Sequence, residues 1–463
     1  MSNWLPDLAG RAGPIYRRVV EALEDDVRAG RLAPGTRLPT HRDLAWRLKV
    51  TVGTVARAYA EAERLGLLAG EVGRGTFVRA PGTEPSLADM LSAKAADGEA
   101  VIDMAINRPV GDAGAPAVAA ALRAIAGRAD LSALLGYNLD GATLRHRAAG
   151  SRWIAAEGLE VPSERVTVTA SGQQAIIAAL AAVSRPGDTV LAEEFTYPGL
   201  KSAASLLDRR LAGVLMDEHG LVPEAVERAI VERGAGVLYT VPTVQNPSTT
   251  TLSVERRKAI AEIARRHDAF IIEDGVYSFL AAEAPPPIAT FAPERTLYIT
   301  SMAKNLCPGL RIGFVAAPEG LVARVAAGIN ATSVMVPALL AEVAAMLIED
   351  GTVAASARAQ REECAARRRL ACAQLGETAC HGRSAFNLWL PLPPPWRSQD
   401  FATEARRNGV AVTPSESCAV GKPRYEAVRI SISAPKDADE LASGLRILAG
   451  LLRVRPDASC VAV

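Results

Sequence analysis

From "VIDMAI", starting near residue 101, short runs rich in β-forming residues alternate with helix-length stretches. The order is "RVTVTA", a helix from Gly172, "DTVLAEE", another helix, "GVLYTV", a helix near 254–267, "AFIIED", "TLYITS" and "RIGFVAAP". Strands separated by helices need crossover connections, so the alternation predicts a mostly parallel central sheet covered by helices, an α/β fold. After about residue 325, long helical stretches lead to "SAFNLWLPL", a helix around 400–408, "AVRISIS" and a last helix, read as a small C-terminal α+β subdomain over about 326–463. No internal repeat interrupts this plan, and the tail "RVRPDASCVAV" carries no signal.

At 463 residues the chain exceeds a usual single domain, and at least two are expected. Hydrophobic residues at 49%, charged residues at 22% and a net charge of +1 fit a globular protein and argue against wholesale disorder. No apolar run is long enough for a bilayer, and "MSNWLPDLAG" lacks the basic and hydrophobic regions of a signal peptide, so a cytoplasmic protein with no membrane partner is expected. The six cysteines, at 307, 364, 372, 380, 418 and 460, form no C-x-x-C pair and no zinc spacing with histidine. Reduced, mostly buried thiols and no metal are the expectation.

The near-zero net charge hides an excess in residues 1–80, with 13 Lys+Arg against 9 Asp+Glu, leaving 39 against 42 for the rest. Here "IYRRVVEALEDDVRAG" has helical periodicity and ends in glycine. "RLAPGTRLPTHRDLAWRLKV" supplies a Pro-Gly turn, Thr40 as a cap and a short helix; "TVGTVARAYAEAERLGLL" gives a third helix that Thr51 can cap and Gly66 stops. "LLAGEVGRGTFVRA" then reads as two short strands around Gly73, Arg74 and Gly75. Three helices and a hairpin make a winged helix-turn-helix over residues 1–80, whose third helix can enter a DNA major groove. Arg37, Arg42 and Arg74 suit phosphate or groove contacts, and Thr51, Thr54 and Arg57 open the reading helix. Residues 81–100, "PGTEPSLADMLSAKAADGEA", have no sustained apolar face and read as a linker.

In open parallel sheets ligands bind at the carboxyl ends of strands. Lys304 follows "RTLYIT" in such a turn; partly desolvated there, it suits an amine nucleophile for an aldehyde, although most lysines are simply solvated. "TASGQQAIIAAL" puts a Ser171-Gly172 turn at a helix start, where free N–H groups suit a phosphate or merely cap the helix. Tyr197, Asn246, Asp274 and Tyr277 follow other strands, and Asp274 suits either a helix cap or a protonated heterocyclic nitrogen. Arg429 interrupts an otherwise apolar strand; buried, it needs an anion, from an internal salt bridge or from a ligand.

The segment "GTRLPTHRDLA…TVGTVARAYAEAERLGLL…GRGTFV" resembles the DNA-binding domain of the GntR regulators, roughly from Pro14 to Val78. That resemblance implies a double-stranded DNA operator as partner, with contacts from Arg37, Thr40, Arg42, Thr51, Thr54, Arg57, Arg74 and Gly75. Where several relatives have arginine after the first threonine, this chain reads Thr51-Val52-Gly53, so no arginine there reads a base. Residues of about 100–450 resemble the fold-type I pyridoxal-phosphate enzymes of the aspartate aminotransferase group, on Asn246, Asp274, Tyr277, Ser301, Lys304, Arg311 and Arg429 in order. The two together resemble the MocR-type transcription regulators. They imply pyridoxal 5'-phosphate on Lys304 and Asp274 at its ring nitrogen. Asn246 and Tyr277 would hold its phenolic oxygen, and Tyr197 would stack on the ring. Ser171, Gly172, Gln173, Ser301 and Arg311 would hold its phosphate. Tyr137 in "GYNLDG" resembles a tyrosine that reaches the partner subunit's phosphate, though its spacing to Gly141 is one residue short. Asn107 stands where many relatives have glycine. Arg429 would take the carboxylate of an amino-acid-like or amine effector.

Three functions are compatible with this pattern. The first is a homodimeric, head-to-tail, DNA-binding regulator that senses its effector through external aldimine formation. The second is an active aminotransferase that also binds DNA. The third, a cofactor-free dimerising domain, gives no reason for Asp274, Lys304 and Arg311 to persist together. The fused winged helix favours the first.

Overall fold

The computed structural model describes residues 4–8, 11, 14–64, 67–71, 75–78, 101–112, 114–137, 143–376, 382 and 384–453. They fall into two compact units, one ending at Val78 and the other beginning at Val101. The segment read as a linker, 81–100, lies outside the described residues, as do Arg74 and the last ten residues.

The N-terminal unit has helices Ile15–Arg28, His41–Leu48 and Val52–Arg64, followed by β1 (Leu68–Glu71) and β2 (Gly75–Val78), an antiparallel hairpin. Val19, Leu23, Leu44, Val55, Ala58, Tyr59, Leu68 and Val78 form its core. Thr40 caps the second helix, its side chain accepting the Asp43 N–H at 3.2 Å. The Tyr59 hydroxyl donates to the Pro39 carbonyl at 2.9 Å, fixing the third helix against the turn before the second.

In the large unit, β3 (Ile102–Asp103) comes first, followed by β4 (Val166–Thr169), β5 (Thr189–Glu193), β6 (Arg210–Val214) and a small hairpin of β7 (Met216–Asp217) and β8 (Gly220–Leu221). Next are β9 (Val237–Thr240), β10 (Phe270–Asp274), β11 (Thr296–Ser301) and β12 (Gly313–Ala316). Seven strands make one sheet in the order β4-β12-β11-β10-β9-β5-β6. All neighbours are parallel except around β12, which runs antiparallel to both β11 and β4. β4, β9, β11 and β12 are buried along their whole length, as strands covered on both faces by helices should be.

The small subdomain is an antiparallel sheet of β13 (Asn387–Pro391), β15 (Thr413–Pro414) and β16 (Ala427–Ser431), packed on helices Ser398–Arg407 and Ala438–Arg453. β14 (Val410–Ala411) pairs in parallel with β3. The "VIDMAI" segment therefore does not open the central sheet: Met104 and Ile102 belong to the small subdomain's core. The 24-residue helix Thr352–Leu375 joins the two cores, burying Val353, Ala357 and Cys364 in the large one and Ala371 in the small one.

Among the described residues no helix is long and apolar enough to cross a membrane. Cys307, Cys364 and Cys418 are free thiols, but Cys372 is disulfide-bonded, contrary to the expectation of reduced cysteines. A bridge needs only two Cβ atoms brought to about 3.5–4.5 Å by folding, which spacing in sequence does not reveal.

Candidate cofactor and effector site

Five parallel strands deliver the site. The chain leaves β4 into the turn at Ser171, β5 toward Tyr197, β9 toward Asn246, β10 at Asp274 and β11 at Ser301, all at the carboxyl edge of one sheet.

Asp274 is buried, one carboxylate oxygen accepting from the Tyr239 hydroxyl at 2.6 Å and the other from the Val276 N–H at 3.0 Å. Burial pushes its pKa up, and the two hydrogen bonds oppose the rise. Tyr239 sits opposite Ile272 in the register of β9 and β10, which brings its phenol to the end of the neighbouring strand. Lys304 Nζ donates to the main-chain oxygen of Asn107 at 2.5 Å. Burial first, then the charges of Arg429 and Arg311, pull its pKa down to about 8.

Arg429 projects from β16 and is only 8% exposed. Its guanidinium donates to Asn246 Oδ1 at 2.9 Å, to the Ala105 carbonyl at 2.7 Å and to Thr413 Oγ1 at 3.3 Å, while its Nε has no partner. Among the described residues no carboxylate forms an ion pair with Arg429, Lys304 or Arg311. An internal salt bridge therefore does not account for burying Arg429.

Ser171 caps the helix Gly172–Val183, accepting the Gln174 N–H at 3.1 Å. A Cβ on Gly172 would stand 3.4 Å from Cβ of Ser301, so the helix start and the end of β11 are in contact. Gln173 donates to the Gly199 carbonyl at 2.7 Å, and its own Oε1 is buried without a partner. Gly199 leaves no room beside Tyr197: a Cβ there would collide with the ring and with Gln173 Oε1. Ser301 donates to the Ile312 carbonyl at 3.2 Å, next to Arg311, which is exposed at φ 54°. Tyr137, in contrast, is 86% exposed and makes no hydrogen bond among the described residues.

In the N-terminal unit Arg42, Thr51, Val52 and Arg57 are exposed. Thr51 accepts the Thr54 N–H at 3.2 Å, and the two hydroxyls are 2.9 Å apart, holding the start of the third helix. The Arg57 guanidinium lies 4.1 Å from the centre of the Tyr16 ring. Arg37 lies across Gly75, whose φ of 117° and lack of a side chain admit it: a Cβ there would be 2.7 Å from Arg37 Nε. Sequence reasoning did not find Tyr239 and Asn387. The only trace of Tyr239 was a phenol inside the buried run "GVLYTV", and Asn387 opens β13 with a buried carboxamide.

Residues 99–448 match the family described as "Aminotransferase class I and II", and residues 15–78 match "Bacterial regulatory proteins, gntR family". Both parts occur together in "Uncharacterized HTH-type transcriptional regulator YdeF" of Bacillus subtilis (strain 168), 32% identical over 97% of this chain and 97% of that protein. The chain belongs to the MocR-type regulators of the GntR family. Its aminotransferase fold is shared with a multiple substrate aminotransferase from Thermococcus profundus, at 24% identity and a TM-score of 0.72 over 80% of this chain and 95% of that one. LysN, an alpha-aminoadipate aminotransferase from Thermus thermophilus, was solved with N-(5'-phosphopyridoxyl)-L-leucine. Its TM-score is 0.70 at 22% identity, over 76% of this chain and 92% of that one.

This MocR-type chain is a transcription regulator with an aminotransferase-like domain, and its cofactor is pyridoxal 5'-phosphate. The donor set fits that group. Among the described residues a half-buried amine without a counter-ion, a buried carboxylate without a cation and a helix start capped by Ser171 match an aldehyde, a pyridinium and the phosphate end in turn.

Proposed function

We propose that this regulator, as a head-to-tail homodimer, senses an amino-acid-like or amine effector at the cofactor and answers by changing how it holds a paired DNA site. The observation that carries this reading is Arg429, a buried cation whose hydrogen bonds all go to neutral oxygens. A ligand carboxylate would pair that charge, and the ligand's amine would lie toward Lys304.

Pyridoxal phosphate supplies an aldehyde that condenses with primary amines. Lys304 would hold it, and Asp274, steadied by Tyr239, would meet the ring nitrogen. Asn246 and Tyr277 would donate to the phenolic oxygen, and Tyr197 would stack on the ring. Ser171, Gly172, Gln173, Ser301 and Arg311 would hold the phosphate, and the exposed Tyr137 would reach the partner subunit's phosphate. At DNA, Arg37, Arg42 and Arg74 meet phosphates, while Thr51, Thr54 and Arg57 approach the groove beside Thr40 and Gly75. A ligand held by both Lys304's partner aldehyde and Arg429 makes contacts that differ between conformations, the requirement for shifting an equilibrium.

Amines and amino acids screened for a change in the bound cofactor's absorbance identify the effector, and mobility shifts report operator binding. Arg429→Ala is expected to keep the cofactor and basal DNA binding and to lose the response. Arg42→Ala should weaken DNA binding and keep the spectral response. Wild-type effector affinity in Arg429→Ala would reject the carboxylate clamp. An active aminotransferase is the second reading, favoured by the low pKa of Lys304; keto-acid production from a panel of amino donors distinguishes it.

A further inference from the structure

Asn107 takes part in none of the roles above, yet it is hydrogen-bonded to two of the residues assigned to them, Lys304 and Tyr277. It is 4% exposed. Its main-chain oxygen accepts from Lys304, and two residues earlier the Ala105 carbonyl accepts from Arg429. Its carboxamide nitrogen donates twice, to the Tyr277 hydroxyl at 3.1 Å and to Asn387 Oδ1 at 2.9 Å.

The direction of these bonds is fixed by chemistry. The Pro247 carbonyl can only accept, so Asn387 must turn its NH₂ toward it, at 2.8 Å. Asn387 therefore shows its oxygen to Asn107, and Asn107 must answer with its own NH₂. The second hydrogen of that NH₂ points at the Tyr277 hydroxyl, which becomes an acceptor on that side. The Tyr277 proton must then point elsewhere, and among the described residues it meets no protein acceptor. The Asn107 oxygen is meanwhile buried and unpaired, a cost that turning the carboxamide over would not remove, since its oxygen would then face the oxygen of Asn387.

We propose that Asn107 is a positioning residue that aims the Tyr277 proton at the cofactor's phenolic oxygen and ties that aim to the small subdomain through Asn387. The proposal rests on the reading of Tyr277 given above. Tyr277 belongs to the large core, whereas Asn387 lies on β13, beside the strand that carries Arg429. The chain Asn107–Asn387–Pro247 therefore links the phenolic-oxygen contact to both sides of the effector pocket. The charged groups facing Tyr277 are Arg429 and Asp274, and the variants below leave both in place.

A donor aimed at an anion lowers that anion's basicity. Weakening the donor should therefore raise the pH at which the bound cofactor changes its absorbance. In full-length protein carrying cofactor, Tyr277→Phe is expected to raise this midpoint. Asn107→Leu, of similar size without a donor, should raise it in the same direction by about half to one pH unit, the scale of one neutral hydrogen bond. Asn387→Leu, which frees the Asn107 carboxamide, should do likewise and serves if Asn107→Leu does not fold. A midpoint that moves in Tyr277→Phe and stays at the wild-type value in both asparagine variants overturns the role of Asn107 while leaving the reading of the site intact. A midpoint unmoved in Tyr277→Phe as well overturns both.

Discussion

Lys304 allows a quantitative forecast. Its pKa of about 8, against 10.5 for a free lysine, has burial as its first cause and the charge of Arg429 as its second. At pH 7 a lysine titrating at 10.5 is neutral about once in three thousand molecules, and one titrating at 8 about once in ten. The reactive fraction is thus roughly 300-fold larger. In protein stripped of cofactor, the rate of capture of added pyridoxal phosphate should climb tenfold per pH unit and level off near pH 8. Arg429→Met removes the second cause and leaves burial, so its plateau should move upward but stay below the 10.5 of a free lysine. The sign for stability follows from the same shift. Between about pH 8 and 10.5 the unfolded chain holds a proton on this amine that the folded chain has lost, so stability of the stripped protein rises with pH through that window. The folded state bears about 3 kcal/mol of penalty below it. Stopped-flow absorbance and pH-dependent urea melts measure the two. A plateau above pH 10 in the wild type, or one unmoved by Arg429→Met, would refute the argument that burial and Arg429 together activate this lysine.

Two further outcomes follow from the geometry. Gly275→Ala would drive a methyl group into the hydroxyl of Tyr298, which is buried and tied to Glu157 at 3.0 Å and Ser278 at 3.3 Å. With nowhere for the phenol to go, it should cost about 1–3 kcal/mol and loosen cofactor binding at the adjacent Asp274; an unchanged melting temperature and cofactor content would contradict it. The exposed Arg42 should count as one phosphate contact, so Arg42→Ala is expected to flatten the slope of log affinity against log salt by about 0.9, and an unchanged slope would remove Arg42 from the interface.

The strands that end at Asp274 and Ser301 were legible because their middles are buried on both faces and carry consecutive apolar residues, Phe270-Ile271-Ile272 and Leu297-Tyr298-Ile299. Side chains just past such runs must emerge at one edge of the sheet, which is why the sequence alone groups Asp274, Tyr277, Ser301 and Lys304. Tyr239 was not legible in this way. Its bond to Asp274 depends on β9 lying beside β10 in one register, and a single sequence does not state which strands are neighbours. "VIDMAI" was misplaced for the same reason: its partner, Val410–Ala411, lies about three hundred residues away and contributes only two paired positions. Asn107 was noticed only as a missing glycine. Its two donated bonds need Asn387 and Tyr277, which come from different cores.

The pairing of Ile102–Asp103 with Val410–Ala411 settles where the large unit is gripped. There the Ile102 N–H donates to the Gly409 carbonyl at 2.8 Å and the Met104 N–H to the Ala411 carbonyl at 2.9 Å, at the start of the large unit's described residues. The chain is thus moored to the subdomain that carries Arg429 before it reaches the central sheet. Three residues on from Ile102, the Ala105 carbonyl is already in the hand of that arginine. The start of the large unit at Ile102 and the guanidinium of Arg429 are therefore joined through a few residues of main chain, with no strand of the seven-stranded sheet between them.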